Sequence, residues 1–252
     1  MTAKGSETGP SRLDMVLVKR GLAASRARAR DLIKRGLVVV AGKIETRPAA
    51  GVAEGAPISV SGAQHYVSRG AVKLAAALDH FGFAVAGVVA LDVGASTGGF
   101  TEVLLERGAE RVYAVDVGHG QLHERLAHRP GVVSLEGRDA RTLDRAAIPQ
   151  PIDAIVADVS FISLTKALPA ALALARPGAW LVALVKPQFE AGRAAVGKGG
   201  IVRDAAARQG AVELVRAWLS SQAGWRVAGV IPAPIAGGSG NQEFLLGAVH
   251  AR

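Results

Sequence analysis

The chain of 252 residues contains no cysteine. That absence excludes disulfide bonds, thiolate nucleophiles and zinc sites of the cysteine type, and it fits a reducing, cytoplasmic setting. Long apolar runs are also missing. None reaches the roughly 18 residues that a membrane span requires, and the opening "MTAKGSETGPSR" has no apolar stretch of the kind that forms a secretory signal. No cluster of histidines or carboxylates suggests a metal. His65, His80, His119 and His123 have no catalytic spacing and are expected at the surface. Half of the residues are hydrophobic, so the chain is globular, and its length suits one large domain joined to a small one.

Acidic residues are scarce in one region only. The formal net charge is +9; residues 1–73 hold 13 lysines and arginines against 5 acids, and residues 74–252 hold 17 against 16. A small basic module attached to a near-neutral body implies a polyanion-binding attachment on a catalytic or ligand-binding domain.

Within the basic module, Leu13, Val16 and Leu17 recur at helical spacing and Gly21 is placed to end that helix. Ser25 is a suitable N-cap for a second helix, in which Ala29, Leu32 and Ile33 face inward while Arg26, Arg28, Arg30, Lys34 and Arg35 occupy the other faces. The run "LVVVAGKIE" predicts a β-hairpin turning at Ala41-Gly42. Such a helix presents guanidinium groups that displace counterions from phosphates and sense RNA shape more than sequence. Arg12, Lys43 and Arg69 extend the set of expected RNA contacts.

The body alternates apolar strands, near 87–93, 111–116, 132–135, 153–158, 179–186, 226–232 and 242–248, with helical segments, of which 204–222 is the longest. Alternation of this kind predicts an α/β domain with a parallel sheet covered on both faces. Its first strand runs into "LDVGASTGGFT". A dinucleotide site requires G-x-G-x-x-G, but Ser96 stands where the second glycine belongs, and a phosphate loop requires a lysine that this turn lacks. What remains is a D-x-G-x-x-x-G frame of Asp92, Gly94 and Gly98, with Asp116 ending the next strand in position to accept hydrogen bonds from a ribose. That frame suits S-adenosylmethionine, which has a ribose and an amino-acid tail but no phosphate. Gly94, Ser96, Gly98, Gly99 and Phe100 are expected to line the donor, with the glycines permitting close approach, and Asp139 to bind the adenine amino group.

Four further residues are candidates for the chemistry: Lys73 in "VSRGAVKL", Asp158 closing the fourth strand, Lys186 closing the fifth, and Glu243 in the last strand, in "GNQEFLL". Ligands gather at the carboxyl ends of strands in open α/β sheets, and a lysine at the end of an apolar strand is costly unless paired.

These motifs resemble two known families joined in one chain. "RLD", "SRARARDLI" and "GLVVVAGK" are similar to the RNA-binding domain of the ribosomal-protein-S-four type. The candidates Lys73, Asp158, Lys186 and Glu243 resemble the Lys-Asp-Lys-Glu tetrad of the FtsJ-like ribose 2'-O-methyltransferases. With "DVSFISL", "VKPQFEAG" and "VGKGGIVRD", nearly the whole chain resembles the TlyA family of ribosomal RNA 2'-O-methyltransferases, also known as haemolysins. The resemblance implies a Rossmann-like class I methyltransferase sheet, residues 70–252, behind a small α+β RNA-binding domain, residues 1–62, and a linker, 63–69. It further implies methylation of cytidine ribose in ribosomal RNA or ribosomal subunits, with S-adenosylmethionine as the cofactor and no metal. In that role Lys186 either accepts the 2'-hydroxyl proton or, if charged, stabilises the developing alkoxide, while Lys73 and Glu243 orient it.

The segment 190–204, glycine-rich and carrying Arg193, Lys198 and Arg203, reads either as an RNA clamp over the site or as a plain connection. A membrane-active haemolysin and a ribosome-binding protein without catalysis are the rival functions, and the sequence contains no membrane-active segment to favour the first. Oligomeric state is not legible.

Overall fold

The computed structural model describes residues 10–23, 25–60 and 66–251. The chain divides between His65 and Tyr66 into two compact units. Residues 63–65 of the expected linker, His65 among them, lie outside the described residues. Tyr66–Arg69, also expected in the linker, pack on the larger unit, where the Val67 amide donates to Glu102 Oε2 at 2.6 Å.

The smaller unit runs β1 (Ser11–Arg12), α1 (Leu13–Lys19), α2 (Arg26–Lys34), β2 (Val38–Val40), β3 (Lys43–Ile44), β4 (Gly51–Val52) and β5 (Ile58–Val60). Ser25 caps α2 by accepting from the Arg28 amide. Leu13, Leu17, Ala29 and Ile33 are buried, so the two helices meet along the apolar stripes that their spacing predicts. The hairpin β2–β3 turns at Ala41 and Gly42, both at positive φ (48° and 79°), which is the combination a type I′ turn demands. An alanine there is strained by its Cβ. Ala41→Asn is therefore expected to stabilise the unit by about 0.5–1 kcal/mol, read as a higher midpoint in thermal melting; a lower midpoint would contradict the turn assignment.

In the larger unit the order is α3 (Gly70–Phe81), β6 (Val89–Val93), α4 (Gly99–Glu106), β7 (Arg111–Asp116), α5 (Glu124–Ala127), β8 (Val132–Glu136), β9 (Ile152–Ala157), α6 (Leu164–Ala167), α7 (Pro169–Ala173), β10 (Ala175–Val185), α8 (Pro187–Glu190), α9 (Ala205–Ser220), β11 (Trp225–Pro232) and β12 (Phe244–His250). Asp204 caps α9, accepting from the amides of Ala206 and Ala207. One seven-stranded sheet has the order β11-β12-β10-β9-β6-β7-β8. Leu74, Leu78, Val103 and Leu104 cover one face, from α3 and α4; Leu164, Leu168, Val212 and Val215 cover the other, from α6 to α9. Each such leucine contributes about 1.5–3 kcal/mol by leaving water.

The sheet departs from the expected all-parallel arrangement in one place. β12 runs antiparallel to both β10 and β11. Alternating hydrophobicity carries no information on strand direction, so this reversal has no signature in the apolar pattern.

Candidate active site

β6 neighbours β9, although the chain reaches β9 only after running outward through β7 and β8. The strand order reverses between them, and at such a switch point the loops leaving the two strands diverge and open a crevice. Here the loops are Gly94–Gly98 and Asp158–Phe161. A cleft of about 1380 Å³ is lined by Gly94, Ser96, Asp116, Gln121, Asp139, Phe161, Gln188 and Arg193, among others. A smaller one, about 290 Å³, is lined by Arg69, Lys73, Gly99, Phe100, Lys186 and Glu243, among others. Gly94, Ser96, Asp158 and Ser160 line both, so the two clefts meet at these residues.

The antiparallel course of β12 accounts for the second cleft. Val185 at the end of β10 pairs with Phe244 at the start of β12, so Lys186 and Glu243 emerge side by side at the same edge of the sheet. Glu243 thus stands one residue before the last strand, not inside it, and Asp158 and Lys186 stand one residue beyond theirs. Lys73, in the first turns of α3, reaches Glu243 Oε2 with its Nζ at 2.5 Å; both side chains are buried, 8% and 3% exposed. Lys186 Nζ lies 2.6 Å from Asp158 Oδ1 and donates to Ser160 Oγ at 2.8 Å. The four residues therefore line one cleft as two ion pairs. Among the described residues no hydrogen bond or ion pair joins Lys186 to Lys73 or Glu243, in contrast to the expectation that these two orient it directly.

Asp92 does not reach the crevice. It sits wholly buried within β6, flanked by β7 and β9, and accepts a hydrogen bond from Thr101 Oγ1 at 2.6 Å. Burial pushes its carboxyl up to about 7, opposed by the Thr101 bond and assisted by repulsion from Asp158. Its work is to tie α4 to β6 beneath the loop, and the expectation that it touches the donor is corrected accordingly. The glycines also answer to the protein itself. A Cβ on Gly94 (φ 84°) would come within 2.6 Å of the Asp158 carbonyl, and one on Gly98 (φ 94°) would strike Leu126 and Leu122. One on Gly99 would collide with Ser68. The positive φ at Gly94 and Gly98, and the close approach of the Asp158 carbonyl to Gly94, favour glycine there whatever binds in the cleft. Phe100 is buried in the core against α3, with only an edge toward the smaller cleft.

Asp116 ends β7, and its two oxygens accept from the Ser96 and Gly118 amides, each at 2.8 Å. Asp139 is held by Arg141, whose hydrogen bond keeps its carboxyl below the ordinary range. Ser96 lies at positive φ (47°) and is exposed at the junction. The loop 117–122 is tied down by Glu136, which accepts from the amides of Gly120, Gln121 and Leu122.

Sequence reasoning missed several residues that build the site. Ser160 holds Lys186. Phe161 is 92% exposed at φ 67°, with its ring 5.2 Å from that of Phe189. Asn241, buried, accepts from the Val202 amide and donates to the Gly200 carbonyl, thereby stapling the basic segment 190–204 to the turn that carries Glu243. Arg193, Lys198 and Arg203 of that segment are exposed. The signals for these residues were polar or aromatic side chains next to strand ends, with no periodicity to mark them.

In the smaller unit the expected RNA-binding arginines converge on an acid. Asp14, wholly buried, accepts from Arg12 at 3.1 Å and from Arg26 at 3.1 Å, and Arg30 lies 4.0 Å away; the three arginines remain about half exposed. The Arg12 hydrogen bond, helped by Arg26 and opposed by burial, holds the Asp14 carboxyl at about 2. Arg28 and Arg35 pair with Asp31, while Lys34 and Lys43 are exposed. Arg69 belongs to the larger unit and lines its smaller cleft.

Comparison with known proteins agrees with this division. Residues 66–249 match the FtsJ-like methyltransferase family and residues 11–58 match the S4 domain. The chain is 48% identical over 238 residues to a 16S/23S rRNA (cytidine-2'-O)-methyltransferase TlyA of Mycobacterium tuberculosis, covering 94% of this chain and 88% of that protein. It is 40% identical to Hemolysin A of Brachyspira hyodysenteriae, covering 93% and 98% of the two chains. A solved structure of a Streptococcus thermophilus protein named as a hemolysin aligns with a TM-score of 0.71 at 39% identity, over 96% of this chain and 89% of that one. This chain belongs to the FtsJ-like methyltransferase family, in the TlyA branch that carries an N-terminal S4 domain.

Proposed function

We propose that the protein transfers a methyl group from S-adenosylmethionine to the 2'-hydroxyl of a cytidine ribose in ribosomal RNA of the small or large subunit, within the cytoplasm where ribosomes are found. The observation that carries this reading is the Lys186 amine, held by Asp158 and Ser160 where a large cleft and a small one meet. A donor in one cleft and an acceptor in the other would face each other across that amine.

The larger cleft suits the donor. Each Asp116 oxygen has one lone pair engaged by a backbone amide and one remaining for a ribose hydroxyl. Gln188 Oε1, buried at the cleft wall, has no hydrogen-bond partner among the described residues and offers a further acceptor. Asp139 and Asp158 are neutralised by Arg141 and Lys186, which leaves Asp116 as the acid of that cleft with no ion-pair partner among the described residues. When bound, S-adenosylmethionine supplies a methyl group activated by its sulfonium charge.

The chain's own residues do the remainder. A ribose hydroxyl is a poor nucleophile at neutral pH, so Lys186, having first given up one proton of its ammonium to water, takes the hydroxyl proton as the new C–O bond forms, and the regenerated ammonium later returns that proton to water. Lys73 and Glu243, neutralising each other, shape the wall of the acceptor cleft. Phe161 offers an exposed aromatic face on which a base can stack. Arg12, Arg26, Arg30, Lys34 and Lys43 of the smaller unit supply a sequence-independent hold on phosphates. Among the described residues no helix is long and apolar enough to cross a membrane, and the gathering of Lys73, Asp158, Lys186 and Glu243 in one cleft favours catalysis over a membrane-active role.

Incubation of the purified protein with labelled donor and isolated ribosomal subunits tests the reading. The expected product is a cytidine linkage newly resistant to alkali. Label confined to a base, with the linkage still cleaved, refutes it.

A further inference from the structure

We infer that Ser160 is a positioning residue for methyl transfer, aiming the reactive direction of the Lys186 amine at the ribose 2'-hydroxyl; this rests on the function proposed above. A tetrahedral amine nitrogen has one direction taken by its own Cε and three others. In the structure one of those three is fixed by a hydrogen bond, which Nζ donates to Ser160 Oγ at 2.8 Å; Asp158 Oδ1 stands at ion-pair distance, 2.6 Å, without accepting a hydrogen bond. Ser160 is thus the residue that sets how the amine is turned about its Cε–Nζ bond, at the edge of the smaller cleft that Lys186 lines. With Asp158 alone, charge attraction would hold the nitrogen in place and leave its hydrogens and lone pair free to rotate.

The backbone supports the same assignment. Ser160 lies between Asp158 and Phe161, and Phe161 is held at φ 67°, a strained conformation for an aromatic residue that persists only where its surroundings impose it. The Phe161 ring meets Phe189, which follows Lys186 by three residues in α8. This contact ties the loop that carries the serine to the segment that carries the lysine. Ser160 also lines both clefts, whereas Lys186 lines only the smaller of the two, so the serine borders the space proposed for the donor as well as the amine. In the transfer step the 2'-hydroxyl proton passes to Nζ, the C–O bond forms, and the C–S bond breaks with its electron pair staying on sulfur.

Ser160→Ala and Ser160→Thr, each compared with the unmodified protein, test this. The measurements are single-turnover methyl transfer to ribosomal subunits at saturating donor, affinity for donor and for RNA, and a crystal structure of each ligand-free variant. Ser160→Ala is expected to lower the transfer rate by about 10–100-fold, up to the cost of an ångström-scale misplacement of a reacting group. Both affinities should hold within about twofold and Nζ should spread over more than one rotamer, while Ser160→Thr restores the rate and the single position of Nζ. The inference is overturned, with the proposed function intact, if Ser160→Ala transfers at the unmodified rate, if it loses donor affinity in place of rate, or if Ser160→Thr is as slow as alanine. An unmodified protein that methylates no ribose overturns both.

Discussion

Replacing Lys186 with alanine is expected to slow methyl transfer by about 10²–10⁴-fold, the usual worth of a positioned general base, with donor and RNA binding retained. The side chain is 11% exposed and faces Asp158, so the variant leaves a carboxylate that is itself 24% exposed and able to recruit water, and the fold should survive. Lys186→Arg separates the two chemical roles. A guanidinium keeps its proton throughout the working pH range, so it can stabilise an alkoxide but cannot accept the 2'-proton. The base assignment predicts an arginine variant as slow as alanine in single-turnover assays. An arginine variant near the unmodified rate would instead assign an electrostatic role, and an alanine variant near that rate would remove position 186 from the reaction.

The elements that hold these residues were legible because each end of the sheet has a chemical mark. β7 occupies the predicted range, Arg111–Asp116, and α9 (Ala205–Ser220) falls inside its predicted span, since an apolar run ending in an acid or a capped amphipathic stretch reports its own boundary. Asp158 and Lys186 were legible on similar grounds: a charge just beyond a buried strand is costly unless a partner or a ligand meets it. The direction of β12 was not. Period-two alternation is identical for parallel and antiparallel strands, and only the Val185–Phe244 register shows why Glu243 arrives beside Lys186. The reasons for the glycines were equally distant. The demand at Gly98 comes first from its φ of 94°, a backbone setting that exists only once the turn into α4 has formed. Asp14 was legible only as part of the "RLD" motif. A lone acid in the first turn of α1 looks like a solvated charge, and its partners Arg26 and Arg30 come from α2, which the local sequence does not bring to it.

Breaking the Lys73–Glu243 pair should cost the larger unit as much stability as emptying a core leucine site. Both groups are nearly out of water and 2.5 Å apart. Their mutual attraction offsets a desolvation cost of several kcal/mol for each ion, so removing one leaves the other buried without a counter-charge, at about 3–5 kcal/mol. For a unit of this size that corresponds to a fall of about 10 °C in melting temperature, expected for Lys73→Ala and for Glu243→Ala alike. The double variant Lys73→Met with Glu243→Leu fills the same space with apolar atoms and removes both charges. It should therefore recover most of the stability, because a buried ion pair is rarely worth more than a well-packed apolar pair. If the pair served the fold alone, methyl transfer would recover with it. The smaller cleft is walled by these two side chains together with Lys186, and an acceptor ribose needs a polar wall at that place, so the double variant should melt near the unmodified protein and still transfer methyl slowly. Thermal melting and single-turnover rates measured on the same three variants decide the matter. A double variant that is both stable and fully active would reduce Lys73 and Glu243 to packing, and would leave Lys186, Asp158 and Ser160 as the whole of the reacting apparatus.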